Sequence, residues 1–284
     1  MVDGEATSDG IANVLRVFNM GMCILMKRYV LAACLLCSAS VITAQAYHGT
    51  TGLLQVPSAE TDSAGTFRGG VAFLDKRFMP NMGNYGDGIP FNTMGYTIGL
   101  TAWYWLELSY TGVLVKMHPD RDKSKPLGYY NEDRHINIKL RPLKEGKWWP
   151  AMAIGMDDVG RFSSLKTGEG SNSFFQNIYI AATKHFDIKG YELGAHLAFR
   201  YYSLKINKER RGVAGGLTFV PRLGESLQGP KAWLQRPRLI VEWDGIGVNV
   251  GADVLLWRHL FIQAALIHGQ GFTGGLAYHY TIPF

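Results

Sequence analysis

Beyond its first 46 residues the chain has no cysteine: Cys23, Cys34 and Cys37 all precede Tyr47. That excludes a disulfide framework and any cysteine-ligated metal from the fold that follows. Long apolar runs are equally scarce. Outside Tyr29–Ile42, no stretch approaches the roughly 18 uncharged apolar residues that a membrane-spanning helix needs. No Gly-x-Ser-x-Gly elbow, phosphate loop, metal-ligand spacing or redox motif stands out, so no cofactor or metal is expected. Charge of one sign is in modest excess, with 29 Lys and Arg against 23 Asp and Glu, a net of +6. Within residues 1–46 acids and bases balance, so the excess belongs to the rest. Solvated loops account for it as readily as an affinity for anionic glycans or lipopolysaccharide phosphates.

What is abundant is glycine and aromatic rings: Gly 34, Tyr 14, Phe 14 and Trp 7. Such a mixture suits a β-barrel whose apolar belt is diluted by a polar interior and loops. The first 46 residues read as a signal peptide. Met26-Lys27-Arg28 supplies a cationic start, Tyr29–Ile42 the apolar stretch, and Ala44-Gln45-Ala46 a small-x-small cleavage site. Met26 is the expected true start, because Asp3, Glu5 and Asp9 are foreign to such leaders. Leu31-Ala32-Ala33-Cys34 resembles a lipoprotein box, but only five residues separate Cys34 from Arg28. Residues 47–65 form a lead-in whose Leu53, Leu54 and Val56 would be stranded in water unless the segment folds into a lumen as a plug. Residues 66–284 form the barrel.

Within 66–284, alternating segments separated by turn chemistry recur twelve times, at about 66–75, 91–101, 103–116, 133–142, 148–157, 174–185, 190–203, 212–221, 237–244, 247–256, 259–267 and the closing strand. Successive strand side chains point to opposite faces. In 190–203, Tyr191, Leu193, Ala195, Leu197, Phe199 and Tyr201 oppose Glu192, Gly194, His196, Ala198, Arg200 and Tyr202. In 103–116, Tyr104, Leu106 and Leu108 oppose Trp105, Glu107 and Ser109. The non-aliphatic face is too small and too polar for a soluble core, so the apolar face meets lipid. Connections after strands one, three, five and seven are long and those after two, four and six short, as between outer loops and inner turns. The chain ends on an apolar ladder, Leu276, Tyr278, Tyr280, Ile282 and Phe284, which reads as a closing strand carrying an aromatic signal for the barrel-assembly machinery.

Several segments carry a family resemblance. Gly49-Thr50-Thr51-Gly52-Leu53-Leu54-Gln55-Val56-Pro57-Ser58-Ala59, then Gly65-Thr66-Phe67-Arg68 and Trp105-Leu106-Glu107-Leu108-Ser109, open the similarity. The most specific block holds Asp133-Arg134, Ile138-Lys139-Leu140-Arg141, Glu145-Gly146, Trp149-Pro150-Ala151, Asp158 and Gly160. Tyr179–Lys184 and Val241–Gly245 follow more loosely. These resemble the YjbH-like outer-membrane family, linked to exopolysaccharide and group 4 capsule secretion, in a short version with room for one barrel. The resemblance implies an outer-membrane barrel of a Gram-negative bacterium in contact with lipid and lipopolysaccharide. It also implies a polysaccharide-export lipoprotein or periplasmic partner, and no nucleic acid. The expected role is conduit or scaffold in polysaccharide export, with a diffusion porin or a lipid-modifying enzyme as alternatives.

The charges expected to face the lumen are Glu107, Lys139, Arg141, Asp157, Glu192, Arg200, Glu242 and Asp253. Either they guide an anionic sugar chain or they pair with one another to fill the barrel. The run Lys205, Lys208, Arg210 and Arg211 reads as a solvated loop or a phosphate contact. Ser109, His135, His196 and His279 share the non-lipid face, but nothing in their spacing assembles a nucleophile with a base. The chain is therefore expected not to be an enzyme.

Overall fold

The alternating segments close into a single ring of twelve antiparallel strands. The computed structural model describes residues 47–79, 91–119, 122–159, 174–221 and 233–282, so the expected leader and Phe284 lie outside the described residues. The strands are β1 (Thr66–Leu74), β2 (Thr93–Trp103), β3 (Leu106–Met117), β4 (Gly128–Leu143), β5 (Ala151–Asp157), β6 (Asn177–Ile188), β7 (Tyr191–Tyr202), β8 (Gly212–Val220), β9 (Leu234–Trp243), β10 (Val248–Leu256), β11 (Leu260–Ile267) and β12 (Gly271–Thr281). Each pairs with its neighbours in sequence, and β1 closes on β12 from Thr66↔Thr281 to Phe73↔Gly274. Closure leaves no unpaired strand edge, which a spanning sheet cannot tolerate in lipid. Among the described residues no helix is long and apolar enough to cross a membrane.

The expected strand number and order hold, with boundaries displaced by a few residues. Trp105 departs from expectation: it does not face inwards. With Tyr104 it makes the β2–β3 turn, exposed and stacked on Trp103 at 5.6 Å. The two-residue parity fails there because the strand has already ended.

The outer surface is the apolar ladder of each strand. Ile136, Ile180, Leu197, Leu239, Val250 and Leu276 are each about half exposed. Rings gather towards both ends of this belt, Trp103, Tyr191 and Trp257 at one and Tyr129, Tyr201 and Phe272 at the other. Aromatic girdles of this kind anchor a transmembrane barrel at its two interfaces. The end carrying Thr66 and Thr281 is here the terminal end, and the opposite one the loop end. Long connections after β1, β3, β5 and β7 share the loop end, joined by a short 3-10 segment, Lys205–Arg210. The alternation reverses later. The β8–β9 connection at the terminal end is long, while β9–β10 at the loop end is a tight turn in which the Asp244 carboxylate accepts the N–H groups of Ile246 and Gly247, both at 2.9 Å. Gly245, with φ +91, takes the left-handed position that turn requires.

Candidate functional site: an occupied barrel lumen

A twelve-stranded ring is wider than the roughly eight strands whose own side chains fill the interior. Inward positions here are often small, including Ala151, Ala153, Ala181, Ala198 and Ala214. The space they leave is taken by residues 47–65. Leu53, Leu54, Val56 and Ala59 of this segment are at most 1% exposed. Leu53, Leu54 and Val56 pack with Leu74, Phe78, Val113, Phe174, Phe175 and Ile240 into one apolar cluster, and Ala59 packs separately with Ala151 and Ala153. The segment passes so close to the wall that a Cβ on Gly49, whose φ is +82, would lie 2.9 Å from Ser109 Cβ. A Cβ on Gly99 would lie 2.6 Å from the Gly49 carbonyl oxygen. Only glycine allows this approach.

Polar contacts then fix the segment along its length. Buried carboxylates of the barrel accept its backbone amides. Glu242 Oε2 takes the N–H of Leu54 at 3.0 Å and of Val56 at 3.1 Å, and Oε1 takes that of Gln55 at 2.9 Å together with the Asn249 amide at 2.9 Å. Glu107 Oε2 accepts the N–H of Thr51 at 3.0 Å and pairs with Lys139 Nζ at 3.0 Å. Its Oε1 accepts from Thr101 Oγ1 at 3.0 Å and faces Arg68 at 3.4 Å. Lys139 also donates to Thr51 O at 2.7 Å and to the Thr51 hydroxyl. The His48 carbonyl accepts from Ser109 Oγ at 2.6 Å and Asn137 Nδ2 at 2.7 Å.

The segment returns two carboxylates to the barrel. Asp62 pairs with Arg68 at 2.9 Å. Glu60 pairs with Arg238 at 3.1 Å, and Arg238 pairs in turn with Asp253 at 3.0 Å. His185 bridges Glu60 at 3.2 Å and Glu145, in the β4–β5 turn, at 2.7 Å. Burial disfavours the charged form of Glu60, but Arg238 and the His185 hydrogen bond outweigh it and hold that carboxyl well below its usual range. Glu145 is likewise lowered: partial burial is overcome by the His185 backbone N–H, its imidazole and Lys184.

Of the residues singled out by sequence, Glu107, Lys139, Asp157, Arg200, Glu242 and Asp253 point inwards and are buried. Arg141 and Glu192 sit at the terminal rim, partly exposed. There Arg141 donates to the Tyr104 carbonyl at 2.8 Å, and Glu192 pairs with Arg236. In the cationic run, Lys205 and Lys208 are exposed as a solvated loop requires, but Arg210 departs from that reading. It is buried, donating to Gln55 Oε1 and Met79 O at 2.9 Å, because the 3-10 segment folds inwards over the lumen. Leu276, Tyr278, Tyr280 and Ile282 all face outwards on β12 or just beyond it, while His279 is buried on the opposite face.

Ser109 gives its proton to the His48 carbonyl. His135 stacks on Phe175 at 4.6 Å, His196 sits between the Thr183 and Thr218 hydroxyls at 3.1 Å each, and His279 stacks on Phe261 at 5.2 Å. Among the described residues no cluster of His, Cys, Asp and Glu is placed to hold a metal ion. Sequence reasoning missed Arg238, His185, Asn137, Glu60 and Asp62. Arg238 shares the parity of Glu242 on β9, so it was findable; the two acids lie outside any strand and carry no such signal.

Among protein families, the one described as "YjbH: Exopolysaccharide biosynthesis protein YbjH" matches residues 44–209. No curated protein matches the chain. Among solved structures, LpxR from Salmonella typhimurium is similar with a TM-score of 0.40 and 9% identity, over 76% of this chain and 100% of that one.

Proposed function

The chain belongs to the YjbH family of exopolysaccharide biosynthesis proteins, and from that premise we propose that it is a non-enzymatic outer-membrane conduit for exopolysaccharide, closed at rest by its own N-terminal segment. The terminal end faces the periplasm, where a lipoprotein or periplasmic partner delivers the chain, and the loop end faces outwards among lipopolysaccharide. One observation carries this reading: residues 47–65 occupy the lumen through polar contacts to buried charges as well as through packing. Charge-assisted hydrogen bonds of this kind can be exchanged for bonds to a ligand or to water, so such a closure is reversible in a way a sealed apolar core is not. An occupied lumen disfavours a general diffusion porin, which needs a standing aqueous path.

Conductance of the purified protein in a planar bilayer tests the closure. Wild type is expected to be silent, and the double variant Glu107→Ala, Glu242→Ala to conduct intermittently. Steady conductance of wild type would restore the porin reading. Silence of both would leave a scaffold for secretion partners and remove the conduit. Loss of secreted exopolysaccharide on deletion, rescued by wild type, tests the pathway.

A further inference from the structure

The outer wall is not evenly bulky. Across β6, β7 and β8 small residues interrupt the apolar ladder: Ala182, Ala195 and Gly215 are half-buried on the outward face, flanked by Leu197, Leu217 and Trp243. They form the floor of a groove of about 530 Å³. Its rows follow the strand register, Ala182↔Leu197↔Gly215↔Trp243 and Lys184↔Ala195↔Leu217↔Val241, so it crosses the tilted strands obliquely. Four inter-strand steps of about 4.8 Å carry it about 19 Å from β6 to β10. On an oblique path that spans one leaflet, half of a hydrocarbon core roughly 30 Å thick. At the terminal end Lys184 and Pro150 line its foot, and Pro150 is the last residue of the β4–β5 turn, residues 144–150. The single carboxylate of that turn, Glu145, is spent on Lys184 at 2.9 Å and His185 at 2.7 Å. Lys144 and Lys147 stand exposed beside it, with Lys147 Nζ 5.1 Å over the exposed Trp148 ring. Trp149 orders the turn: its Nε1 donates to the Lys144 carbonyl at 3.2 Å and its carbonyl accepts the Gly146 N–H at 3.1 Å.

We propose that this turn and groove together bind one anionic phospholipid, its headgroup on Lys144 and Lys147 and an acyl chain in the groove; the proposal rests on the outer-membrane reading, with the terminal end towards the periplasm. The polar and apolar halves of the site meet at Pro150, as the halves of a phospholipid meet at its glycerol. Charge selects the headgroup. An anionic headgroup meets two exposed cations and little repulsion, because the Glu145 oxygens are already taken by Lys184 and His185. A zwitterionic ethanolamine headgroup would bring its ammonium to the same lysines. Trp148 and Trp149 supply the indole surface that favours the depth where headgroup and hydrocarbon meet. The groove selects the other half. Its floor of alanine and glycine admits a single chain where a row of leucines would present a closed face.

Native mass spectrometry of the purified full chain, released from detergent micelles at low salt, tests this with phosphatidylglycerol and phosphatidylethanolamine of identical acyl chains. Wild type is expected to retain one phosphatidylglycerol in preference to phosphatidylethanolamine. The double variant Lys144→Gln, Lys147→Gln should bind phosphatidylglycerol roughly thirtyfold more weakly and lose the preference, since each lysine near an anionic surface contributes about fivefold. Ala195→Leu fills the groove from its outward face and should lower phosphatidylglycerol retention although both lysines are present. The three side chains lie on the outer surface, so heat-modifiability gels should show both variants folded as wild type. Equal retention of the two lipids by wild type would overturn the proposal, as would undiminished retention in either variant. Dimers of the chain carrying no lipid would overturn it in favour of a second copy on this face. Insertion into phospholipid vesicles without headgroup preference would sink this site and leave the membrane reading standing. A chain that stays in solution without detergent and does not insert would sink the membrane reading itself.

Discussion

Replacing Glu242 by alanine removes one concentrated hold on the N-terminal segment. The carboxylate accepts three consecutive backbone amides, those of Leu54, Gln55 and Val56, in a site that is 1% exposed. Alanine offers no acceptor, and the turn is too enclosed for all three N–H groups to find water. A buried donor left unpaired costs about 1–3 kcal/mol, and relaxation makes such costs less than additive, so the docked segment should lose about 3–6 kcal/mol. Hydrogen exchange measured by mass spectrometry on a peptide covering 51–58 reads that loss directly. A decade of exchange corresponds to about 1.4 kcal/mol, so the amides should exchange about 100- to 10,000-fold faster. Amides of the β9–β10 ladder, such as that of Val250, provide the control and should barely change, because the ladder does not depend on the Glu242 side chain. Glu242→Gln keeps one acceptor oxygen and should fall between. Acceleration below about tenfold, or equal acceleration of ladder and segment, would refute the reasoning. The first result would mean the packing of Leu53, Leu54 and Val56 alone suffices; the second, that Glu242 holds the barrel and not the segment.

Lys139→Ala leaves Glu107 with Arg68 alone in a fully buried site and should destabilise the protein by about 3–5 kcal/mol in urea unfolding from lipid vesicles; a change under about 1 kcal/mol would contradict the pairing. Glu60 gives the segment a pH dependence. Its carboxyl is held below the ordinary 4.5, so its stabilisation is complete above that value and is lost as pH falls through the lower, folded-state value. The Glu60 contribution to exchange protection of the segment should therefore be lost in strong acid, and Glu60→Gln should flatten that acid limb. Phe284→Asp adds a charge beyond the ladder that runs through Leu276, Tyr278 and Tyr280, and should lower the amount of assembled barrel without changing the conductance of what assembles. Unchanged levels on heat-modifiability gels would remove the assembly-signal reading.

The barrel was legible because its physics is written in a period of two. Tyr191 to Tyr202 alternates outward and inward without interruption, and the same parity places Lys139 and Glu242 inside before any contact is known. Legibility stops where the chain leaves the strand. Trp105 shares the inward parity of Glu107 but belongs to the turn, and no local signal marks that boundary. Arg210 shares a basic run with exposed Lys205 and Lys208, yet it is buried, because its neighbours in space are Gln55 and Met79, far away in sequence. The lead-in segment was readable only through its stranded Leu53, Leu54 and Val56. Its bonds to Glu107 and Glu242 span up to 188 positions, and a backbone amide donor leaves no trace in residue identity.

The inward charges answer a geometric problem before they answer a functional one. Small inward residues leave the ring unfilled, and residues 47–65 with parts of the loops take that space. A folded-in segment without regular strand pairing brings backbone N–H groups that must find acceptors away from water. Glu107 and Glu242 supply these from the wall, and Arg68, Lys139 and Arg238 offset the carboxylates that remain. Filling the lumen with leucines from the strands would have been simpler and permanent. Using acceptors on the wall and donors on the segment makes each bond exchangeable, so the cost of withdrawal is set by what replaces the amides at Glu107 and Glu242. Sugar hydroxyls donate hydrogen bonds as amides do. If the barrel is the conduit proposed above, a glycan in the lumen would compete with the segment for the Glu107 and Glu242 carboxylates.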